Sequence, residues 1–170
     1  ENLAERLTEI MKKYHVAPSQ INLEITETAA AHSDMLENNI KILHKQGIEF
    51  SLDDYGSGYS NTDYLFRFPF RIVKIDKTIL WEAFKNEKAM IALRNTIRMI
   101  KELGLEIVVE GVENQEYVDY LTEQHCDYLQ GYFYSKPIPD RDFLELLRRE
   151  NAQYYAERFS KNELSDIITT

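Results

Sequence analysis

The chain has 170 residues, 44% hydrophobic and 29% charged, enough for one buried core and too few for two comfortable domains. Twenty Lys and Arg stand against 29 Asp and Glu, a net charge of −9, which argues against a surface that grips DNA or RNA polymers through their phosphates. The single cysteine, Cys126, excludes an internal disulfide and any multi-cysteine metal site, and no apolar run approaches the ~20 residues of a membrane span.

In chain order, Leu3, Leu7, Ile10, Met11 and Tyr14 form one stripe of a helix that ends before Pro18. Ile21, Leu23 and Ile25 alternate with Asn22, Glu24 and Thr26, which predicts a strand. Leu36, Ile40 and Leu43 place a helix that stops at Gly47. Residues 48–54 read as a second strand breaking into Tyr55-Gly56-Ser57-Gly58, and a short helix follows from about Asn61, with Ser60 and Asp63 spaced as a capping box. Residues 71–76 are a third strand. Met90, Leu93, Ile97 and Ile100 extend one long helix to Leu103, closed by Gly104. Residues 105–110 are a fourth strand, Asn114 caps a helix bearing Tyr117, Tyr120 and Leu121, and residues 127–132 are a fifth strand. A last helix begins near Asp140, and residues 151–170 form a polar, helix-compatible tail. Domain organisation is thus 1–150 with a tail of 151–170.

Helix and strand alternate five times, which predicts an α/β fold with a parallel sheet. Two architectures satisfy the pattern: an open doubly wound sheet, or part of a (β/α)8 barrel. Both bind ligands at the carboxyl ends of their strands. Those ends carry Glu24 with Glu27, Asp53 with Asp54, Lys74 with Asp76, Glu110 with Glu113, and Gln130. Taken singly, each has a plain structural explanation. A lone Glu caps a helix or stays solvated, Asp-Asp before a Gly-rich turn serves the turn, and Asp76 pairs with Lys74. Together they are harder to dismiss, because clustered carboxylates need positive compensation. Hard divalent cations prefer such oxygen donors, and adjacent aspartates suit a two-metal site for phosphoryl chemistry. Lys74 points away from its apolar neighbours Val73 and Ile75, into a polar site or onto a covered surface. His15, His32, His44 and His125 fall on helices or loops away from these acids. The 19 Tyr and Phe residues read as core rather than a base-stacking platform. A phospho-acceptor receiver domain does not fit, since Lys74 follows the Asp pair too closely to admit the intervening phosphorylated strand.

Five segments in order resemble the EAL domain, the cyclic-di-GMP phosphodiesterase of bacterial signalling: Leu23-Glu24-Ile25-Thr26-Glu27; residues 52–60 with Asp53-Asp54-Tyr55-Gly56; Lys74-Ile75-Asp76; Val108-Val109-Glu110-Gly111-Val112-Glu113; and Cys126-Asp127-Tyr128-Leu129-Gln130-Gly131-Tyr132 running on to Pro137. The resemblance implies a partial (β/α)8 TIM-like barrel holding the family's fourth to eighth parallel strands with covering helices. It implies two Mg2+ or Mn2+ ions. Glu24 and Asp53 would hold the first, Asp53 would bridge, and Asp54 and Glu110 would hold the second. Lys74 would hold or activate the attacking water, Gln130 would contact substrate, and Glu27 would steady the loop after Asp54. The reaction would be in-line attack on one phosphodiester, opening the ring to linear 5′-pGpG. The loop and helix after Asp54 resemble the family's dimerisation region, so a homodimer is expected, with sensory or GGDEF domains in the parent protein and a cytoplasmic location. Tyr55 replaces a usual Phe, Ser57 a frequent Thr, Arg71 a commonly acidic residue and His125 a common Gly. The Glu-Ala-Leu segment and a metal-binding Asn are absent from these residues, so the chain alone is expected to be weakly active or inactive. The alternatives are a catalytically silent cyclic-di-GMP receptor and a dimerisation or regulatory module.

Overall fold

A computed structural model describes residues 3–30, 34–58 and 62–158. The chain divides into two compact units, residues 1–134 and 135–170. In the first, helices α1 (Leu3–Tyr14), α2 (Glu27–Ala30), α3 (Asp34–Lys45), α4 (Asp63–Arg67), α5 (Lys77–Ala83), α6 (Glu87–Glu102) and α7 (Gln115–Glu123) alternate with strands β1 (Asn22–Thr26), β2 (Glu49–Tyr55), β3 (Ile72–Ile75), β4 (Glu106–Val109) and β5 (Tyr128–Leu129). The second unit contains α8 (Asp140–Arg158). Ser60, Asn61 and His32 lie outside the described residues, as do residues 159–170 of the expected tail, so the capping box is not among the features described; Thr62 stands at the start of α4 without a side-chain cap.

All four strand pairings are parallel, and the order across the sheet is β1-β2-β3-β4-β5. A doubly wound sheet reverses its strand order at a switch point. Unbroken chain order is the arrangement of one side of a (β/α)8 barrel, which decides between the two expected architectures. Strand alternation separates the faces. Ile25, Leu52, Val73, Ile75, Ile107 and Val109 are buried against the helices, with Phe50, Leu80, Leu93, Ile97, Ile100 and Leu121. The other face carries Glu24, Ser51, Asp53, Lys74, Glu106 and Tyr128. Ser51 donates to Asn22 Oδ1 at 2.7 Å across it, and at the amino ends of the strands Arg71 joins Glu49 at 2.5 Å and Glu106 at 3.1 Å.

Three expectations need correction. The single helix predicted to run to Leu103 is two, α5 and α6, because Asn86 adopts an extended backbone and its side chain accepts the Lys88 N–H, starting a new helix. The break is filled by Phe84, whose ring packs on Tyr117 at 4.5 Å and Tyr120 at 5.6 Å. Asp76 does not pair with Lys74. It is the N-cap of α5, accepting the Thr78 N–H at 2.8 Å and bonding the Thr78 hydroxyl. Of the stripe predicted on α1, Met11 is buried beside Ala4, whereas Leu3, Ile10 and Tyr14 are exposed. His125, standing where a Gly is common, has φ +56°, the left-handed region in which glycine costs least. Burial pushes the Cys126 thiol up to about 12, so it packs as a small apolar group rather than a nucleophile.

Candidate active site

The site forms where β1 to β5 end. Adjacent residues of a regular strand point to opposite faces, so Asp53 and Asp54 would diverge if β2 were regular. It is not. Leu52 pairs with Val73 and Tyr55 with Ile75, so three steps along β2 match two along β3, and Asp53 and Asp54 together oppose Lys74. This two-against-one bulge is completed by Asp54 at φ +57°, a costly conformation for a non-glycine residue and one that concentrates at functional sites. Both carboxylates are thereby turned toward the polar face, and Tyr55 resumes the buried phase.

The structure brings together most of the residues expected to act. Lys74, its side chain 10% exposed, lies 2.8 Å from Asp53, 2.9 Å from Glu24 and 3.0 Å from Glu110. Burial alone would pull its pKa down, but the contacts with Asp53, Glu24 and Glu110 outweigh that and hold the ammonium above the ordinary lysine range. Carboxylate oxygens of Asp53, Asp54 and Glu110 lie within 4.8 Å of one another. Burial and the charges of Asp53 and Asp76 raise the Asp54 pKa. Gln130 Nε2 donates to Glu110 Oε1 at 3.4 Å. Glu27 stands apart from this group: it is buried at the start of α2, and its carboxylate accepts the Gly56 N–H at 3.2 Å. Glu113 is exposed on the loop after β4. Among the described residues no histidine joins the acidic group.

Four carboxylates around one ammonium leave three negative charges uncompensated. Asp53 Oδ1 is buried and has no hydrogen bond of good geometry, only the ionic contact with Lys74. An oxygen so placed, amid hard donors at short spacing, suits a divalent cation. Asp53, Asp54 and Glu110 are the residues that fit one directly.

Sequence reasoning missed what holds Glu110. Gly111, at φ +73°, follows it, and a Cβ there would stand 2.3 Å from Lys77 Cβ. A Cβ on Gly131 would meet the Val112 carbonyl oxygen at 2.0 Å, because the turn after β5 lies against the β4 loop, with Val112 N–H donating to Gln130 O and Phe133 N–H to Val112 O. Gly131→Ala therefore forces backbone apart. A loss of about 3 kcal/mol is expected, read as a lower denaturant midpoint; an unchanged midpoint would show that the turn moves aside freely.

A sequence profile of the EAL domain matches residues 1–137. The cyclic di-GMP phosphodiesterase RocR of Pseudomonas aeruginosa is 34% identical over 145 residues, covering 84% of this chain and 37% of that protein. The EAL domain of Mycobacterium smegmatis DcpA superposes with TM-score 0.80 at 30% identity, covering 88% of this chain and 67% of that one. Klebsiella pneumoniae BlrP1, in a manganese and cyclic di-GMP complex, superposes with TM-score 0.72 at 27% identity, covering 78% and 34%. The chain thus spans little more than a third of RocR.

Proposed function

This chain belongs to the EAL domain family, and from that membership we propose that it carries much of the active face of a metal-dependent phosphodiesterase that opens cyclic di-GMP to linear 5′-pGpG. One observation carries the reading: the β2 bulge turns Asp53 and Asp54 to the same side, beside Glu110 and Lys74. Glu24, Asp53, Asp54 and Glu110 would hold two Mg2+ or Mn2+ ions, with Asp53 shared between them. Such ions, when bound, polarise a phosphodiester and acidify water. The remaining work falls to the chain itself. Lys74 stays protonated and holds three carboxylates in register; with those carboxylates taken up by cations, its N–H donors would turn to the attacking water or the phosphoryl oxygens. Gln130, at the mouth beside Glu110, orients the nucleotide. Glu27 positions rather than reacts, since its grip on Gly56 fixes the turn that aims Asp54.

We assign the homodimer contact to the loop and helix after Asp54, place sensory or GGDEF domains elsewhere in the whole protein, and place the reaction in the cytoplasm. The 170-residue chain alone is proposed to be weakly active at most. Glu24 sits on an edge strand paired on one side only, its side chain 52% exposed.

The test is to incubate the whole protein with cyclic di-GMP and to separate the products with Mn2+ and with a chelator. Linear pGpG in the Mn2+ reaction alone is expected. Tight binding without cleavage would replace this reading with a silent receptor; neither binding nor cleavage would replace it with a dimerisation module.

A further inference from the structure

Trp81, the only tryptophan of the chain, plays no part in the chemistry above, yet it touches the backbone that carries Glu110. It lies on α5, and its indole Nε1–H donates to the Gly111 carbonyl at 2.8 Å. Lys77 Nζ lies 5.5 Å from the indole ring centre and covers one side of it. Residues 110–112 are gripped from three elements. From β3, Ile75 O accepts the Glu110 N–H at 3.0 Å. From β5 and the turn after it, Gln130 O accepts Val112 N–H at 3.1 Å and Phe133 N–H reaches Val112 O at 3.0 Å. From α5, Trp81 supplies a polar hold. A pocket of about 210 Å³ opens between these segments, with Trp81 and Glu110 both in its wall.

The geometry points to Trp81 as a positioning residue for the metal site: its hydrogen bond to the Gly111 carbonyl holds the Gly111–Val112 peptide, one residue beyond Glu110, and so helps set where the Glu110 carboxylate meets Asp53 and Asp54. The reasoning is mechanical. Gly111 has no side chain and φ +73°, so the backbone between Glu110 and the Gly111–Val112 peptide turns easily, and that peptide is held at its N–H by Gln130 O and at its carbonyl by the indole. Rotation there swings Glu110 away from Lys74 and Gln130. The indole supplies the resistance on the carbonyl side, and it does so without touching a carboxylate. Residues that orient metal ligands commonly set metal affinity by about 10-fold or more.

This inference rests on the proposed metal site, so the test separates the two. Calorimetric titration of the whole protein with Mg2+, without nucleotide, is compared with Trp81→Phe, which keeps the aromatic bulk and removes the donor. About 10-fold weaker Mg2+ binding is expected, with the thermal midpoint in chelator and the KM for cyclic di-GMP little changed. Equal Mg2+ affinity in the two proteins overturns the inference. No Mg2+ uptake by the wild-type protein overturns the metal-site reading itself. A second measurement does not depend on the variant folding. With 5-fluorotryptophan incorporated, the Trp81 fluorine resonance should shift and saturate along the Mg2+ titration. Indole resonances that all stay fixed at saturating Mg2+ overturn the inference.

Discussion

Asp53→Asn in the whole protein is expected to abolish metal-supported hydrolysis, with a loss of about 1,000-fold or more. The substitution keeps shape and volume, so it tests charge. Asp53 lies with Asp54 and Glu110 in the acidic group, makes the shortest of the three contacts with Lys74, at 2.8 Å, and has a buried oxygen without a hydrogen bond. An amide at this position donates through one of its two heavy atoms and cannot bridge two cations. A barrier rise of about 4 kcal/mol corresponds to that rate loss, a reasonable size for losing one charged ligand of a shared pair. Steady-state turnover at saturating Mn2+ checks it. Turnover within about 10-fold of wild type would remove Asp53 from the metal site. Stability should change in the opposite sense in the metal-free protein, because one of the crowded carboxylates is gone.

Lys74→Met is expected to be costly twice. Its ammonium is the nearest compensating charge for Glu24, Asp53 and Glu110, and removing one partner of a buried ionic group costs about 3–5 kcal/mol. The metal-free variant should therefore melt several degrees lower, and Mn2+ should recover much of the loss by replacing the missing positive charge. Turnover should fall by about 100-fold or more, while nucleotide binding is largely kept. The contrast between recovered stability and unrecovered turnover distinguishes a residue that acts on the reaction from one that merely balances charge. Full recovery of both by Mn2+ would reduce Lys74 to a counter-ion. Loss of nucleotide binding in a folded variant would show that its role is different again.

Much of this was legible before any coordinates. Alternation located the first strand and short apolar runs the other four, and the recurrence of acids at their ends singled out residues that the structure brings near Lys74. The architecture needed strand order, which periodicity does not contain: both an open sheet and a barrel follow from the same alternation of helix and strand. The Asp53-Asp54 pair shows where local reading stops. Sequence spacing says that neighbours diverge, and only the pairing with β3, three residues against two, explains why they converge. The break between α5 and α6 was signalled by Asn86, whose capping role was overshadowed by the apolar spacing that follows it. Pairing with Lys74 was the plain explanation available for Asp76, yet residues two apart near a strand end lose their common face when the chain turns into a helix. The α1 stripe misled for a different reason: helical spacing gives a face but not what covers it, and Leu3, Ile10 and Tyr14 remain exposed. Trp81 was invisible. Nothing about an indole in a short helix says that it reaches a carbonyl 30 residues away.

The central claim is that carboxylates from separate strands converge to bind cations, and its most direct measurement is anomalous diffraction from crystals of the whole protein soaked in Mn2+. Strong anomalous peaks are expected at about 2.1 Å from carboxylate oxygens of Asp53, Asp54 and Glu110, with Lys74 close by. A protein that cleaves cyclic di-GMP while its crystals show no peak among those three side chains would contradict the account.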